Sequence, residues 1–219
     1  MRADERDRRA ALVARKEAAL RRWPNRADDE FKAELSEVAH ELDQLARALD
    51  EAQADGLDRL RTWCALGEAY LLLGQRHSLQ AASEAFRNAE SLASLVEAHA
   101  HELMNLKHGY GCALLELAGG SNMDLATEAA ARLSSALELA RKHRPVGVAS
   151  IKYELFRAEH TVAQLRGAHG TPAREAHRAR EIEEAAWLAP GRRGGNRPAP
   201  SDPRPDAAGF LFCSRSRGR

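Results

Sequence analysis

The strongest constraint on this chain is an almost unbroken helical pattern that runs from Arg2 to about Leu188. Glycine and proline interrupt the pattern at intervals of one helix length, where they end helices. Ala, Leu, Glu and Arg, which favour helices, dominate the composition, and aromatic residues make up only 5%. The sequence therefore predicts an all-α protein. The predicted helices cover residues 3–23, 28–54, 57–73, 78–93, 95–118, 123–142, 146–166 and 171–189.

The second predicted helix carries a narrow apolar stripe, whose members are spaced alternately by four and three residues. Such spacing places them on one side of a helix, suited to packing lengthwise against another helix. That helix could belong to this chain or to a second copy, so a homodimer is an open alternative. The members of this stripe are Phe31, Leu35, Val38, Leu42, Leu45 and Leu49.

The charge is nearly balanced overall but unevenly distributed along the chain. Residues 1–26 hold nine basic and four acidic residues, and residues 189–219 hold seven basic and two acidic, so each end carries +5. Since the whole chain is +1, the 162 residues between them carry −9. The acidic body could attract a cationic partner or the basic ends of the chain itself. The basic ends also leave phosphate binding, and hence a nucleic acid partner, as a less favoured alternative.

The sequence carries no signature of a membrane span, a secretory signal or a catalytic site. No apolar run reaches 18 residues, and three scattered cysteines suit free thiols in a reducing compartment, so we expect a cytoplasmic protein. No phosphate-binding loop, nucleophile elbow or zinc-protease helix is present. The histidines at 99, 101 and 108 lack the convergent spacing of a metal site. We expect no enzymatic activity, cofactor or metal.

Two consecutive helices carry small and large residues at fixed spacings: Trp63-x2-Leu66-Gly67-x2-Tyr70 and then Ala82-x3-Phe86-x2-Ala89. Gly67 and Ala82 would let two antiparallel helices approach closely, while the larger residues fill the space around that contact. A second copy follows as Tyr110-Gly111-x2-Leu114 and Ala129-x3-Leu133-x2-Ala136. A third, weaker copy consists of Phe156, Ala163 and Gly167, followed by Ile182-x2-Ala185. The sequence thus indicates an internal repeat of helix pairs, with an irregular helical bundle as the alternative.

These motifs resemble the tetratricopeptide repeat, and their separation of 44 to 49 residues resembles the extended members of that family. The resemblance covers residues 57–190 and implies a right-handed α-solenoid of antiparallel helix pairs. Its repeats would span about 57–94, 95–144 and 145–190. Residues 1–56 would form an N-terminal helical hairpin that caps the stack, and the Arg/Pro/Gly-rich residues 191–219 would form a disordered tail.

The resemblance implies a scaffold or adaptor that binds a peptide or a partner helix on its concave face. The first helix of each pair would line that face, and the alternatives are that these side chains pack inside the stack or that the chain forms oligomers. The Lys/Asn clamp that binds a C-terminal carboxylate in some members is absent. The expected groove residues are Arg61, Cys64, Glu68, Asn105, His108, Cys112, Glu154, Arg157 and Thr161.

Overall fold

The structure, a computed structural model, describes residues 3–22, 28–143 and 147–167. These residues form helices joined by turns, without strands, so the all-α prediction is confirmed for them. The predicted eighth helix (171–189) and the tail (191–219) lie outside the described residues. The helices are α1 (Ala3–Arg22), α2 (Asp29–Glu51), α3 (Gly56–Leu73), α4 (Arg76–Ala93), α5 (Ala100–Ala118), α6 (Met123–His143) and α7 (Val148–Leu165).

Several helix ends lie where the sequence predicts them. Gly74 ends α3 and Gly119 ends α5, with φ angles of 65° and 55° in the left-handed region that glycine adopts without strain. At the start of α6, the Asn122 Oδ1 atom accepts a hydrogen bond of 3.1 Å from the backbone N–H of Leu125. That bond satisfies one of the free donors of the first helical turn.

The predicted start of the fifth helix is wrong. The sequence predicts a helix from residue 95, but α5 begins only at Ala100. Ser94 instead follows α4, and its hydroxyl donates to the carbonyl oxygen of Ser91. The segment between the two helices brings Val96 against Gly56, where an added Cβ would lie 2.4 Å from Val96 Cγ1.

Consecutive helices pack against one another throughout the described part of the chain. The odd-numbered helices also contact each other in order, α1 with α3, α3 with α5, and α5 with α7. Two apolar clusters form the core, one built mainly from α1 to α3 and the other mainly from α4 to α7. Trp63 and Tyr70 of α3 border both clusters, so α3 joins the two parts of the core.

The apolar stripe of α2 lies inside the chain, which contradicts the prediction that it forms a homodimer interface. Its six members are at most 2% exposed, and they share a cluster with Leu12 of α1 and Leu66 of α3. The basic N-terminal helix and α3 together cover the stripe, because its apolar side chains pack against apolar side chains of these two helices. The buried members are Phe31, Leu35, Val38, Leu42, Leu45 and Leu49.

Phe86 of α4 lies in a space that two glycines leave open. A Cβ atom added to Gly67 of α3 would lie 2.9 Å from the Phe86 ring, and one added to Gly109 of α5 would lie 2.6 Å from it. Both distances are too short for a real Cβ contact, so any larger residue at either position would displace the ring. Phe86 is fully buried and stacks against Tyr110, with ring centroids 6.2 Å apart.

The second copy of the motif repeats this arrangement with a smaller side chain. A Cβ added to Gly111 of α5 would lie 2.7 Å from Leu133 Cγ and 3.3 Å from the carbonyl oxygen of Ala129. The predicted close approach of Gly111 to Ala129 is therefore confirmed. At the first copy, the atoms nearest to Gly67 belong to the Phe86 ring.

Candidate partner-binding face

The predicted groove residues all lie on α3, α5 and α7, and α1 contacts the first of these helices. We call the surface of these four helices the odd-helix face. The helices on it contact each other in order, and ion pairs between oppositely charged side chains bridge each contact. The geometry of these pairs decides which of the predicted residues can meet a partner.

The contact between α1 and α3 is fixed by two groups of charges. At one end, the carboxylate of Asp58 is buried and accepts hydrogen bonds from Arg9 (Nη1–Oδ1 3.0 Å) and Arg6 (Nε–Oδ2 3.2 Å). At the other end, the ammonium group of Lys16 pairs with the carboxylate of Glu68. The Lys16 side chain is only 5% exposed. Glu68, a predicted groove residue, is thus held by α1.

Arg61 joins α3 to the first turn of α5. Its Nε atom donates to Glu102 Oε1 at 2.6 Å, and the other carboxylate oxygen of Glu102 accepts from the backbone N–H of His99 at 2.9 Å. Burial raises the pKa of Glu102, but the His99 N–H and the Arg61 guanidinium outweigh this effect and lower it overall. Glu102 therefore stays ionised, while the Arg61 side chain is still 38% exposed.

Cys64 lies on α3 between these charges. Burial raises the pKa of its thiol far above the usual value, and the nearby carboxylates of Glu68 and Glu102 raise it further, against a smaller opposite effect of Lys16. A thiol must lose its proton to act as a nucleophile or a metal ligand. Cys64 is therefore chemically inert at neutral pH.

The three predicted residues of α5 differ in exposure. Asn105 is exposed, whereas His108 and Cys112 are buried. Among the described residues, the Nε2 atom of His108 has no hydrogen-bond partner, and burial lowers its pKa to about 4. His108 is consequently neutral at pH 7. Only Asn105 presents its polar group to solvent at this point of the face.

Arg157 of α7 lies between two carboxylates. Its Nη1 donates to Glu154 Oε2 at 2.6 Å and its Nη2 donates to Glu116 Oε1 of α5 at 2.8 Å. Glu154 is 1% exposed, and burial raises its pKa to about 6 despite the opposing effect of Arg157. Thr161 donates its hydroxyl to the carbonyl oxygen of Arg157 at 2.9 Å. The Arg157–Glu116 pair therefore joins α7 to α5, whereas the bonds to Glu154 and from Thr161 lie within α7.

The structure divides the nine predicted groove residues by their exposure and contacts. Three of its members are buried and cannot line an open surface: His108, Cys112 and Glu154. Four are committed to contacts within the protein: Arg61, Glu68, Arg157 and Thr161. Cys64 is half-buried, and Asn105 is the exposed member. Most of these side chains pack between the helices because neighbouring odd helices lie too close to leave their facing sides open.

The sequence left the role of the basic N-terminal helix open. Basic side chains of α1 pair with carboxylates of α2 and α3, so this end of the chain docks on the acidic body. That outcome follows from the uneven charge distribution, which left the chain's own ends as a possible partner of the body. The basic residues are Arg6, Arg9, Arg15, Lys16 and Arg22, and their partners are Asp58, Glu37, Glu41, Glu68 and Glu34.

Comparisons with known proteins add no relative. No protein family model matches the chain, and neither a curated protein nor a solved structure matches it. Within the described ranges, no group of three or more His, Cys, Asp or Glu side chains is placed to hold a metal ion. The helices of those ranges are also too short or too polar to cross a membrane.

Proposed function

We propose that this protein is an interaction module of the tetratricopeptide-like type, a right-handed solenoid of antiparallel helix pairs that binds a protein partner on its odd-helix face. The pairs are α1–α2, α3–α4 and α5–α6, with α7 opening the next pair. A peptide or a partner helix would lie across the odd helices, as in other stacked repeats whose curvature exposes one helix of each pair.

The observation that carries this proposal is the ordered contact of α1, α3, α5 and α7 with each other, in addition to the contact between consecutive helices. A bundle around one central core has no need of such a series, whereas a stack produces it because equivalent helices lie side by side. The recurrence of the glycine contact at Gly67 and Gly111, 44 residues apart in the sequence, also supports repeated units.

Two accessible polar groups of the face lie near the contact between α3 and α5. Asn105 is exposed and its amide can both donate and accept hydrogen bonds, which suits the backbone of an extended peptide. The guanidinium of Arg61 is partly exposed and retains donors besides the Nε atom that Glu102 uses. We propose that these two side chains contact the partner, and that the paired residues around them hold the surface rigid.

A matched pair of asparagines tests the proposal. Asn105 lies on α5 within the face, and Asn88 lies on α4 outside it; both are exposed and helical. Asn105→Arg and Asn88→Arg add the same bulk and charge. The full-length wild type would be used for affinity capture, and each captured protein would be titrated against both variants.

The expected result is a partner whose affinity falls by about tenfold or more with Asn105→Arg and is unchanged with Asn88→Arg. Equal affinity of every captured protein for the two variants would refute a binding surface at Asn105. Circular dichroism would verify that both variants keep the helical content of the wild type.

The alternatives that the sequence left open gain no support. The homodimer through the α2 stripe lacks an available surface, because the stripe is buried. Nucleic acid binding through Arg9 and Arg15 of α1 would require these two side chains to leave their carboxylate partners Asp58 and Glu41. A random DNA duplex at low salt provides the direct check, because phosphate binding would show a steep dependence on salt.

A further inference from the structure

A groove lies between α6 and α7, at the last described helix of the chain. Its α7 residues are spaced three, one and three apart, so they form one stripe along that helix. Nearer the start of α7, the same side of the helix packs into the core through Ile151 and Leu155, which lie eight and four residues before Glu159. The residues that line the groove are Thr127, Ala130, Glu159, Val162, Ala163 and Arg166.

The corresponding place one repeat earlier is occupied by a helix. Beside α4 and α5, the next even helix, α6, contacts both of them through Arg132. The Arg132 guanidinium lies 4.9 Å from the centre of the Tyr110 ring of α5 and pairs with Glu90 of α4. The groove between α6 and α7 is the equivalent position for the next helix of the chain.

Residues 171–189 have the sequence of such a helix. Thr171 and Pro172 suit the N-cap and the first helical position. Ile182-x2-Ala185 repeats the spacing of Leu133-x2-Ala136, whose leucine fills the space beside Gly111. A stripe of apolar residues spaced three, three and four apart runs along one side: Ala176, Ala179, Ile182 and Ala186.

The connection to this segment has the right length. Three residues, 168–170, separate Gly167 from Thr171, comparable to the short connection between Gly119 and Asn122 that leads from α5 to α6. Three or four residues span about 10 to 14 Å at most, close to the distance between packed helices. A helix that starts at Thr171 would therefore begin beside the end of α7, where the groove lies.

We propose that residues 171–189 form an eighth helix that lies antiparallel to α7 in the groove between α6 and α7. Its small residues would approach Ala130 and Ala163, as alanines and glycines do in the preceding pairs. Its first half would lie beside Thr127, because the groove is formed by the start of α6 and the end of α7. This helix would complete the last pair of the stack and cover α7 independently of any external partner.

Hydrogen–deuterium exchange on the full chain tests this assignment. We expect the amides of 171–189 to exchange about tenfold or more slowly than an unstructured chain. Ile182→Asp should remove that protection and also accelerate exchange at the end of α7. The matched control Phe210→Asp, an apolar-to-acidic change elsewhere in the C-terminal region, should change neither.

A second pair of variants tests the same contact by substitutions on α7. Val162→Arg places a charge in the groove, whereas Tyr153→Arg places one on the opposite side of α7, where the tyrosine is 49% exposed. Val162→Arg should deprotect 171–189 and Tyr153→Arg should not. Unprotected amides at 171–189 in the wild type would overturn the proposal. The proposal would also be overturned if Phe210→Asp, and not Ile182→Asp, accelerated amide exchange in α7. That result would show that the segment around Phe210 occupies the groove.

Discussion

The contacts of α4 with α3 and α5 differ in kind from the direct contact between α3 and α5. Where α3 and α5 meet α4, the buried aromatic ring of Phe86 fills the space beside Gly67 and Gly109. Where α3 meets α5 directly, a charged pair bridges the two helices through Arg61 and Glu102. The same division recurs further along the chain, where Leu133 meets Gly111 and Arg157 meets Glu116.

The two kinds of contact have different effects, one on the free energy of unfolding and the other on how neighbouring helices are aligned. Burying a large apolar side chain contributes about 2 to 3 kcal/mol, whereas a partly exposed ion pair contributes about 0 to 1 kcal/mol. The apolar contacts therefore hold the helices together. The charged pairs contribute little to the total but are directional, so they fix how far one odd helix slides along the next, and this sets the shape of the odd-helix face.

Removing the ring at the centre of the apolar contacts should have the largest effect. Phe86→Ala would leave a cavity between three helices, and we expect the free energy of unfolding to fall by about 3 to 5 kcal/mol. Urea unfolding followed by circular dichroism measures this change. Leu95→Ala is the control, because Leu95 is 79% exposed and its truncation should cost about 0.5 kcal/mol or less. A loss below about 1 kcal/mol for Phe86→Ala would contradict the division of roles.

Buried His108 should make stability fall in acid. Its pKa in the fold is about 4, below the ordinary 6.5, so the unfolded chain binds a proton between these values that the folded chain does not. Stability is fully present above pH 6.5 and is lost as the pH falls through 4, by about 3 kcal/mol in total. In His108→Gln this loss should be absent, as urea unfolding at pH 7, 5.5 and 4 would show. Parallel pH curves for the two proteins would refute it.

Glu154 should change stability with pH in the opposite direction to His108. Its pKa in the fold is about 6, above the ordinary 4.5, so its contribution is fully present below pH 4.5 and is lost as the pH rises through 6. The loss amounts to about 2 kcal/mol. We therefore expect Glu154→Gln to be more stable than the wild type at pH 8 and to lose that advantage near pH 4.5. If the variant is less stable at pH 8, the carboxylate is stabilised by Arg157 more than burial opposes it.

The glycine contact of the second repeat should show a smaller effect. Overpacking costs about 1 to 3 kcal/mol, and replacing a helical glycine with alanine returns about 1 kcal/mol. We therefore expect Gly111→Ala to lower the free energy of unfolding by about 0 to 2 kcal/mol. The same substitution in a Leu133→Ala background should cost less, because the side chain nearest to the new Cβ is gone. Equal costs in both backgrounds would show that Leu133 is not the group that it displaces.

The sequence predicts the apolar contacts better than the charged ones for a physical reason. Helix periodicity and the spacing of small residues are local, so the helix ends at Gly74 and Gly119 and the approach of Gly111 to Ala129 could be read directly. The charged pairs join residues far apart in the chain, such as Arg61 with Glu102 and Lys16 with Glu68, which are 41 and 52 residues apart. Which carboxylate a given basic residue meets depends on how the helices stack. The sequence could not decide whether the α2 stripe is buried within the chain, because that too depends on how the helices stack.

The smallest effect should come from one charged pair, and it tests whether these pairs align the helices. Arg61→Met keeps most of the side-chain length, and it should lower the free energy of unfolding by about 1 kcal/mol or less at low salt. Arg47→Met is the control, because its pair with Asp43 lies within α2 and joins no two helices. If Arg61 aligns α3 with α5, its replacement should speed amide exchange in the first turn of α5 while Arg47→Met leaves it unchanged. A large loss of stability with unchanged exchange would instead show that this charged contact holds the helices together as the apolar contacts do.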